Sequence, residues 1–341
     1  MKNYSAGVIG LGYWGPNILR NVIDLGKFKD IYCYDLEQSQ LDKNKKKYPS
    51  IKLVREYSDI LNNNEINCVF ICTPPATHYQ LAKDALLHNK NVLIEKPMTV
   101  SVLEAEELIE ISKKKSLKLM VGHTFEYSPA VEKIKETIDK GILGDIYFVS
   151  MTRINLGIHR KDVSVIQDLA THDLSILFRL ISEMPDRISV IANSSIKKGL
   201  KDVAFINLKY KTGAIVNISV SWLSPKKIRE IVIVGSKKML VYDDTKSDEK
   251  IKIFNKGVDV LKDPTSFGEY QLTYRTGDIM SPVLEAIEPL KVEISHFVDC
   301  INNDLEPRTN GYCGLKVVKV LEAAEKSSEK DGDVIIIDKE K

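Results

Sequence analysis

Tyr4-Ser-Ala-Gly-Val-Ile-Gly10-Leu-Gly12-Tyr-Trp-Gly15-Pro-Asn-Ile-Leu-Arg20 carries the strongest structural signal in this chain. The apolar run Ala6 to Ile9 reads as a buried strand that breaks at Gly10 and Gly12. A helical pattern follows at once, with Pro16 near the first helical position and Ile18, Leu19, Val22 and Ile23 as its apolar stripe. Gly10-x-Gly12-x-x-Gly15 therefore stands in the strand–turn–helix context that a dinucleotide fingerprint requires. Gly10 allows the tight turn, Gly12 lets the backbone approach a pyrophosphate, and Gly15 lets helix and strand pack closely. The helix N-terminus then offers N–H groups and positive dipole to phosphate. The plainer alternative is an ordinary glycine-rich βα turn.

Asp35 separates these readings. Asp30-Ile-Tyr-Cys-Tyr-Asp35 reads as a second strand whose acidic end falls twenty residues after Gly15, where a carboxylate accepts hydrogen bonds from an adenosine ribose. Leu36 and Glu37 follow, and no Arg or Lys precedes Lys43 to hold a 2′-phosphate. Repulsion from Asp35 thus favours NAD over NADP.

The remaining composition sets bounds. A length of 341 residues suits two domains, and 43% hydrophobic with 28% charged residues is ordinary for a globular protein. A net charge of +2 selects no partner, and the lysine runs 45–47 and 113–115 end helical stretches rather than forming a nucleic-acid stripe. Five cysteines (Cys33, Cys68, Cys72, Cys300 and Cys313) show no metal-ligand spacing. Three of them fall in buried strands, as small hydrophobes of a reducing compartment. No signal peptide and no run of eighteen apolar residues is visible, so the expectation is a cytoplasmic protein without membrane or nucleic-acid partners.

From residue 1 to 122, strand signals alternate with helical ones, as in a doubly wound parallel sheet. Ligands of such sheets bind beyond the carboxyl ends of the strands. Gly10–Gly15, Asp35, Thr73-Pro74-Pro75-Ala-Thr-His78 and Glu95-Lys96-Pro97 all fall at such ends. After residue 122 the character changes. Helices near 129–140 and 164–183 surround a strand from Gly144, and six strand signals then follow in series, from Ile188 to Phe254. Strands in series make a mainly antiparallel sheet, hence an α+β domain over 123–341. The alternate face through Ile215, Asn217, Ser219 and Ser221 is mixed, suited either to a second subunit or to solvent. Residues 256–289 read as irregular, and helices near 290–303 and 313–328 close the chain.

Asp168-Leu-Ala-Thr-His172 lies within the second of those helical stretches, four residues apart on one face. Taken alone, the pair is either a helix-surface acid and histidine or a general base with a neighbouring carboxylate.

Taken together, the glycine turn, Thr73-Pro74…His78, Glu95-Lys96-Pro97 and Asp168-x-x-x-His172 resemble the glucose–fructose oxidoreductase/inositol dehydrogenase/MocA family over essentially the whole chain. That resemblance implies an N-terminal Rossmann domain and a C-terminal α+β domain whose large open sheet forms a homodimer or homotetramer interface. It implies a catalytic set of Lys96, Asp168 and His172. It also implies NAD contacts from Gly10, Gly12, Tyr13, Trp14, Gly15, Asp35, Thr73, Pro74, Pro75, His78, Glu95 and Lys96. Gly12-Tyr-Trp-Gly-Pro-Asn17, Gly122-His-Thr-Phe125, Arg153-Ile-Asn-Leu-Gly157, Gly277-Asp-Ile279 and Glu288-Pro-Leu290 are similar to a nucleotide-sugar branch that oxidises C3 of a UDP-N-acetylhexosamine. Ser128, Gln167 and Thr171 depart from the pattern common in that branch. Arg153, Asn155 and Arg160 are candidates for substrate polar groups or a diphosphate, with Tyr127 and Tyr274 as further substrate candidates. The rival readings are a ketoreductase or inositol or free-sugar dehydrogenase of the same fold, and a non-catalytic dinucleotide-binding sensor.

Overall fold

The computed structural model describes residues 4–157, 163–260 and 272–337, and the chain packs as two compact units. The first contains the chain to Ser128 together with Ile287–Glu322. Its elements are β1 (Tyr4–Ile9), α1 (Gly15–Leu25), β2 (Phe28–Tyr34), α2 (Gln38–Lys47), β3 (Lys52–Leu53), α3 (Tyr57–Leu61), β4 (Ile66–Ile71), α4 (Pro75–Leu87), β5 (Asn91–Glu95), α5 (Val102–Lys114) and β6 (Leu119–Gly122). The strands form a six-stranded parallel sheet in the order β3-β2-β1-β4-β5-β6. Strand order reverses between β1 and β4, which places the switch point of a doubly wound sheet directly at the glycine turn. β4, Ile-Asn-Cys-Val-Phe-Ile, is almost wholly buried, as a strand covered on both faces must be. Ser101 caps α5 by accepting the Glu104 N–H.

The expected boundary at 122/123 leaves out one return of the chain. α8 (Pro289–Asn303) sends Leu290, Ile294 and Phe297 into the same core cluster as Ala6, Val8, Leu11, Ile18 and Phe70. The rings of Phe70 and Phe297 meet edge-on at 5.6 Å. The next helix, α9 (Gly311–Glu329), contributes Leu315 and Val318 to the core on the sheet's other side. An apolar helical stripe records that a face is buried and says nothing of which unit buries it.

The second unit contains Pro129–Ala286 and the chain from Ala323. It holds α6 (Pro129–Asp139), β7 (Ile146–Leu156), α7 (Thr171–Leu180), β8 (Arg187–Asn193), β9 (Val203–Lys209), β10 (Ile215–Ser221), β11 (Leu223–Gly235), β12 (Met239–Asp243), β13 (Ile251–Phe254), β16 (Ile279–Met280) and β17 (Ile335–Ile336). Those strands make one nine-stranded sheet, β16-β13-β12-β11-β7-β10-β9-β8-β17. It is antiparallel except where β7 runs parallel to β10. β14 (Gly257–Val260) and β15 (Leu272–Arg275) form a separate ribbon inside the stretch expected to be irregular.

Period-2 alternation splits the large sheet cleanly. Val216, Ile218 and Val220 of β10, with Val149 and Met151 of β7 and Ala204, Ile206 and Leu208 of β9, are buried. On the other face, Phe148, Ile191, Phe205 and Ile215 are all exposed. Among the described residues no helix is long and apolar enough to cross a membrane.

Candidate active site

The carboxyl edge of the parallel sheet is built first from backbone. Gly10 adopts φ +87°, and a Cβ there would lie 2.9 Å from the Cys72 carbonyl carbon. A Cβ on Gly15 would stand 2.0 Å from the Gly10 carbonyl oxygen, so only glycine lets α1 start this close to the turn. A Cβ on Gly12, by contrast, would meet nothing within 4 Å among the described residues. Gly12 thus borders open space, flanked by exposed Tyr13 and Trp14, with no acidic side chain in the first turn of α1 to offset its dipole. This combination fits a dinucleotide pyrophosphate. Asp35, just past β2, accepts the Leu11 N–H at 2.5 Å on one carboxylate oxygen and the Glu37 N–H at 2.8 Å on the other. Two amides therefore hold the carboxylate against the turn.

The ends of β4 and β5 are tied to each other by His78. It is fully buried, with Nδ1 2.8 Å from the Pro97 carbonyl and Nε2 2.8 Å from the Thr73 carbonyl. The residue expected among the cofactor contacts thus bridges the Thr73-Pro74-Pro75 turn to the Lys96-Pro97 turn. Pro74 and Thr77 are exposed, Thr73 is half-buried, and Pro75 is buried as the first residue of α4. Lys96 is half-buried, and its backbone N–H donates to Glu95 Oε2 at 3.2 Å. Glu95 is buried, and that burial pushes its carboxyl up to about 7 against the pull of the Lys96 charge, the Lys96 N–H and the Trp14 side chain.

In the second unit the expected helix over 164–183 divides in two. Ile166–Ala170 is a π-helical turn and α7 begins at Thr171. Such turns insert a residue into the helical ladder and re-aim the side chains around it. Thr171 Oγ1 donates to the Gln167 carbonyl at 2.6 Å, satisfying an acceptor at the junction. Asp168 and His172 are both half-buried and sit on either side of that junction. Asp168 Oδ2 accepts the Trp222 indole N–H at 3.3 Å. Trp222 reaches it because Gly157 leaves room: a Cβ there would be 2.7 Å from the indole Cδ1.

The substrate candidates separate. Arg153 is buried on β7 and bound two-pronged to Asp173, Nε to Oδ2 at 2.8 Å and Nη2 to Oδ1 at 3.0 Å. Its guanidinium anchors α7 instead of standing on a surface loop. Tyr127 is buried in the first unit, its hydroxyl 3.2 Å from Thr309 Oγ1 and its face under the Arg308 guanidinium at 4.8 Å. Asn155 is half-buried near the end of β7, and Tyr274 on β15 is 81% exposed. Arg160 lies outside the described residues. Sequence reasoning missed Asp173, Trp222 and Glu293. Asp173 directly follows His172 and carried the only available signal, whereas Trp222, just past β10, continues the apolar alternation of Val216, Ile218 and Val220. Glu293 sits inside an apolar helix and is fully buried.

A glycine turn at the switch point, an acid at the end of β2 and a lysine at the end of β5 define an NAD-binding oxidoreductase. The family model for the oxidoreductase family with NAD-binding Rossmann fold matches residues 4–123, and that for the GFO/IDH/MocA C-terminal domain matches residues 131–241. The chain belongs to the Gfo/Idh/MocA oxidoreductase family. It is 22% identical to the myo-inositol 2-dehydrogenase of Thermotoga maritima, over 96% of this chain and 97% of that protein. The crystal structure of UDP-N-acetylglucosamine 3-dehydrogenase from Acidithiobacillus ferrooxidans shares its fold, with a TM-score of 0.80 at 20% identity, covering 97% of this chain and 99% of that one. So does an oxidoreductase from Agrobacterium radiobacter in complex with NAD+, L-tartaric acid and magnesium, with a TM-score of 0.82 at 17% identity over 98% of this chain and 99% of that one.

Proposed function

We propose that this enzyme oxidises a secondary hydroxyl of a sugar, first of all C3 of a UDP-N-acetylhexosamine-type nucleotide sugar. The observation that carries the reading is the pair Asp168 and His172, offered half-buried from a π-helical turn, in a chain whose parallel-sheet edge already carries a dinucleotide turn and Lys96. NAD, when bound, accepts the hydride from the carbinol carbon. Lys96 donates a hydrogen bond to the reacting hydroxyl, which favours the forming alkoxide. His172 accepts the hydroxyl proton, and Asp168, steadied by Trp222, orients the imidazole or the substrate. Asn155, Arg160 and Tyr274 are the remaining contacts for substrate polar groups.

The nucleotide-sugar choice is supported by the five motif stretches quoted above and by the likeness to the Acidithiobacillus structure. The inositol relative supports a second reading, oxidation of a cyclic polyol, and the same step run backwards is a ketoreduction. The exposed face with Phe148, Ile191, Phe205 and Ile215 supports assembly into a homodimer or homotetramer, and five free cysteines support a cytoplasmic setting. The test is NADH formation, followed by absorbance, across UDP-sugars, inositols and free hexoses. Turnover confined to inositols would overturn the nucleotide-sugar choice, and no turnover with any of them would overturn the sugar reading.

A further inference from the structure

Among the carboxyl groups buried in the first unit are those of Glu95 and Glu293. Glu95 ends β5 opposite Gly122 of β6, so close that a Cβ on Gly122 would lie 3.0 Å from Glu95 Oε1. The next residue, His123, is 1% exposed, and neither ring nitrogen has a hydrogen-bond partner among the described residues. The one after, Thr124, donates from Oγ1 to Glu293 Oε2 at 2.7 Å. Three consecutive residues thus link Glu95 on the sheet to Glu293 on α8. Each carboxyl keeps a buried Oε1 with no hydrogen-bond partner among the described residues. A carboxylate with an unpartnered buried oxygen is far costlier than the neutral acid.

The charges nearby are few. Lys96 is felt by both Glu95 and His123, and it helps hold the buried imidazole neutral, down to about 3, after burial itself. Burial first, then the Glu95 charge, pushes Glu293 well up, and Glu126 adds to the push. The Cys72 thiol and the Tyr127 phenol also face these acids, and both are held protonated, first by burial. Two acids thus share surroundings in which Lys96 is the cation that Glu95 feels. Two buried like charges that feel each other do not readily both ionise.

We propose that Glu293 and Glu95 are two coupled buried carboxyl groups that carry one negative charge between them, with Glu293 keeping its proton, Glu95 carrying the charge that positions the Lys96 ammonium, and neutral His123 following Gly122 between them in the chain. In this arrangement Glu293 and Glu95 act through Lys96, as positioning residues. The folded state binds the Glu95 proton more tightly than the unfolded chain, whose carboxyl titrates near ~4.3. The stability this lends is complete below that pH and is lost as pH rises through about 7.

The test compares the full chain with Glu293→Gln and Glu95→Gln by urea unfolding across this window and by infrared spectroscopy. The folding constant of the wild type should fall roughly 100-fold or more as pH rises through the window, and Glu95→Gln should lessen that fall, leaving the part that comes from the Glu293 proton. Glu293→Gln mimics the protonated acid without taking up a proton on folding, so its folding constant should exceed the wild type's by roughly 100-fold or more at neutral pH, a gap that closes below about pH 4.3. Well above pH 7, where Glu95 is ionised, the wild type should show a protonated-carboxyl band that Glu293→Gln lacks. A wild type without that band, or a Glu95→Gln variant with the wild-type pH dependence, would overturn the pair. The band needs only wild type, so a variant that fails to fold does not shelter the proposal. The positioning role alone rests on the dehydrogenase reading: the acid limb of NADH formation should vanish in Glu95→Gln and persist in Glu293→Gln. A limb unchanged in Glu95→Gln would overturn that role.

Discussion

The turn after β1 and the turn before α7 are both candidate sites at the start of a helix, built by opposite means. The first is made of backbone. Gly10, Gly12 and Gly15 contribute a positive φ, an open face and a close approach, and what the turn offers is N–H groups and a dipole. The second is made of side chains. Asp168 and His172 are aimed by a π-helical turn and supported by partners remote in sequence, Trp222 for Asp168 and Arg153 for the neighbouring Asp173. Backbone sites depend on residues that cannot be large, whereas side-chain sites depend on the shell that locks each rotamer.

The contrast is open to attack at several points. The largest effect should come from His172→Ala and Lys96→Ala, each lowering turnover roughly 10²- to 10⁴-fold while NAD binding, followed by fluorescence titration, stays intact. Near-normal turnover in either variant would remove that residue from its role. Arg153→Met should cost about 3–5 kcal/mol in urea unfolding, because Asp173 is left buried without its cation. A purely substrate-binding arginine would raise KM and leave stability alone. Gly15→Ala drives a Cβ into the Gly10 carbonyl and should cost about 3 kcal/mol, with loss of NAD affinity before loss of fold. If Gly15→Ala binds NAD normally, the turn is not built as its backbone indicates. The smallest effect is expected of Trp222→Phe, about 1 kcal/mol in stability and a modest fall in kcat at unchanged NAD affinity, through one lost hydrogen bond to Asp168.

Legibility follows the same division. The six parallel strands, their order of appearance and the gathering of Gly10, Asp35, Thr73 and Lys96 at one sheet edge are all readable from alternating patterns and topology. The return of α8 to the first unit was not, because Leu290, Ile294 and Phe297 make a stripe that any apolar surface would accept. Arg153 read as a candidate for substrate polar groups, and the structure buries it on β7 against Asp173. His78 stood at the right strand end, yet both ring nitrogens face carbonyl oxygens of neighbouring turns. Glu293 gave no sign of itself, since one acid inside an apolar helix reads as a solvated position.

By itself, the sequence determined what is local: periodicity, turn glycines and the distance from Gly15 to Asp35, all properties of a few adjacent residues and the backbone geometry they permit. Only the tertiary structure decided which charges are buried and with whom. The pairing of Arg153 with Asp173, the indole on Asp168 and the hydrogen bond from Thr124 to Glu293 all join residues that are not neighbours in the chain. Desolvation and Coulomb energy depend on distance through space, which no spacing along the sequence encodes.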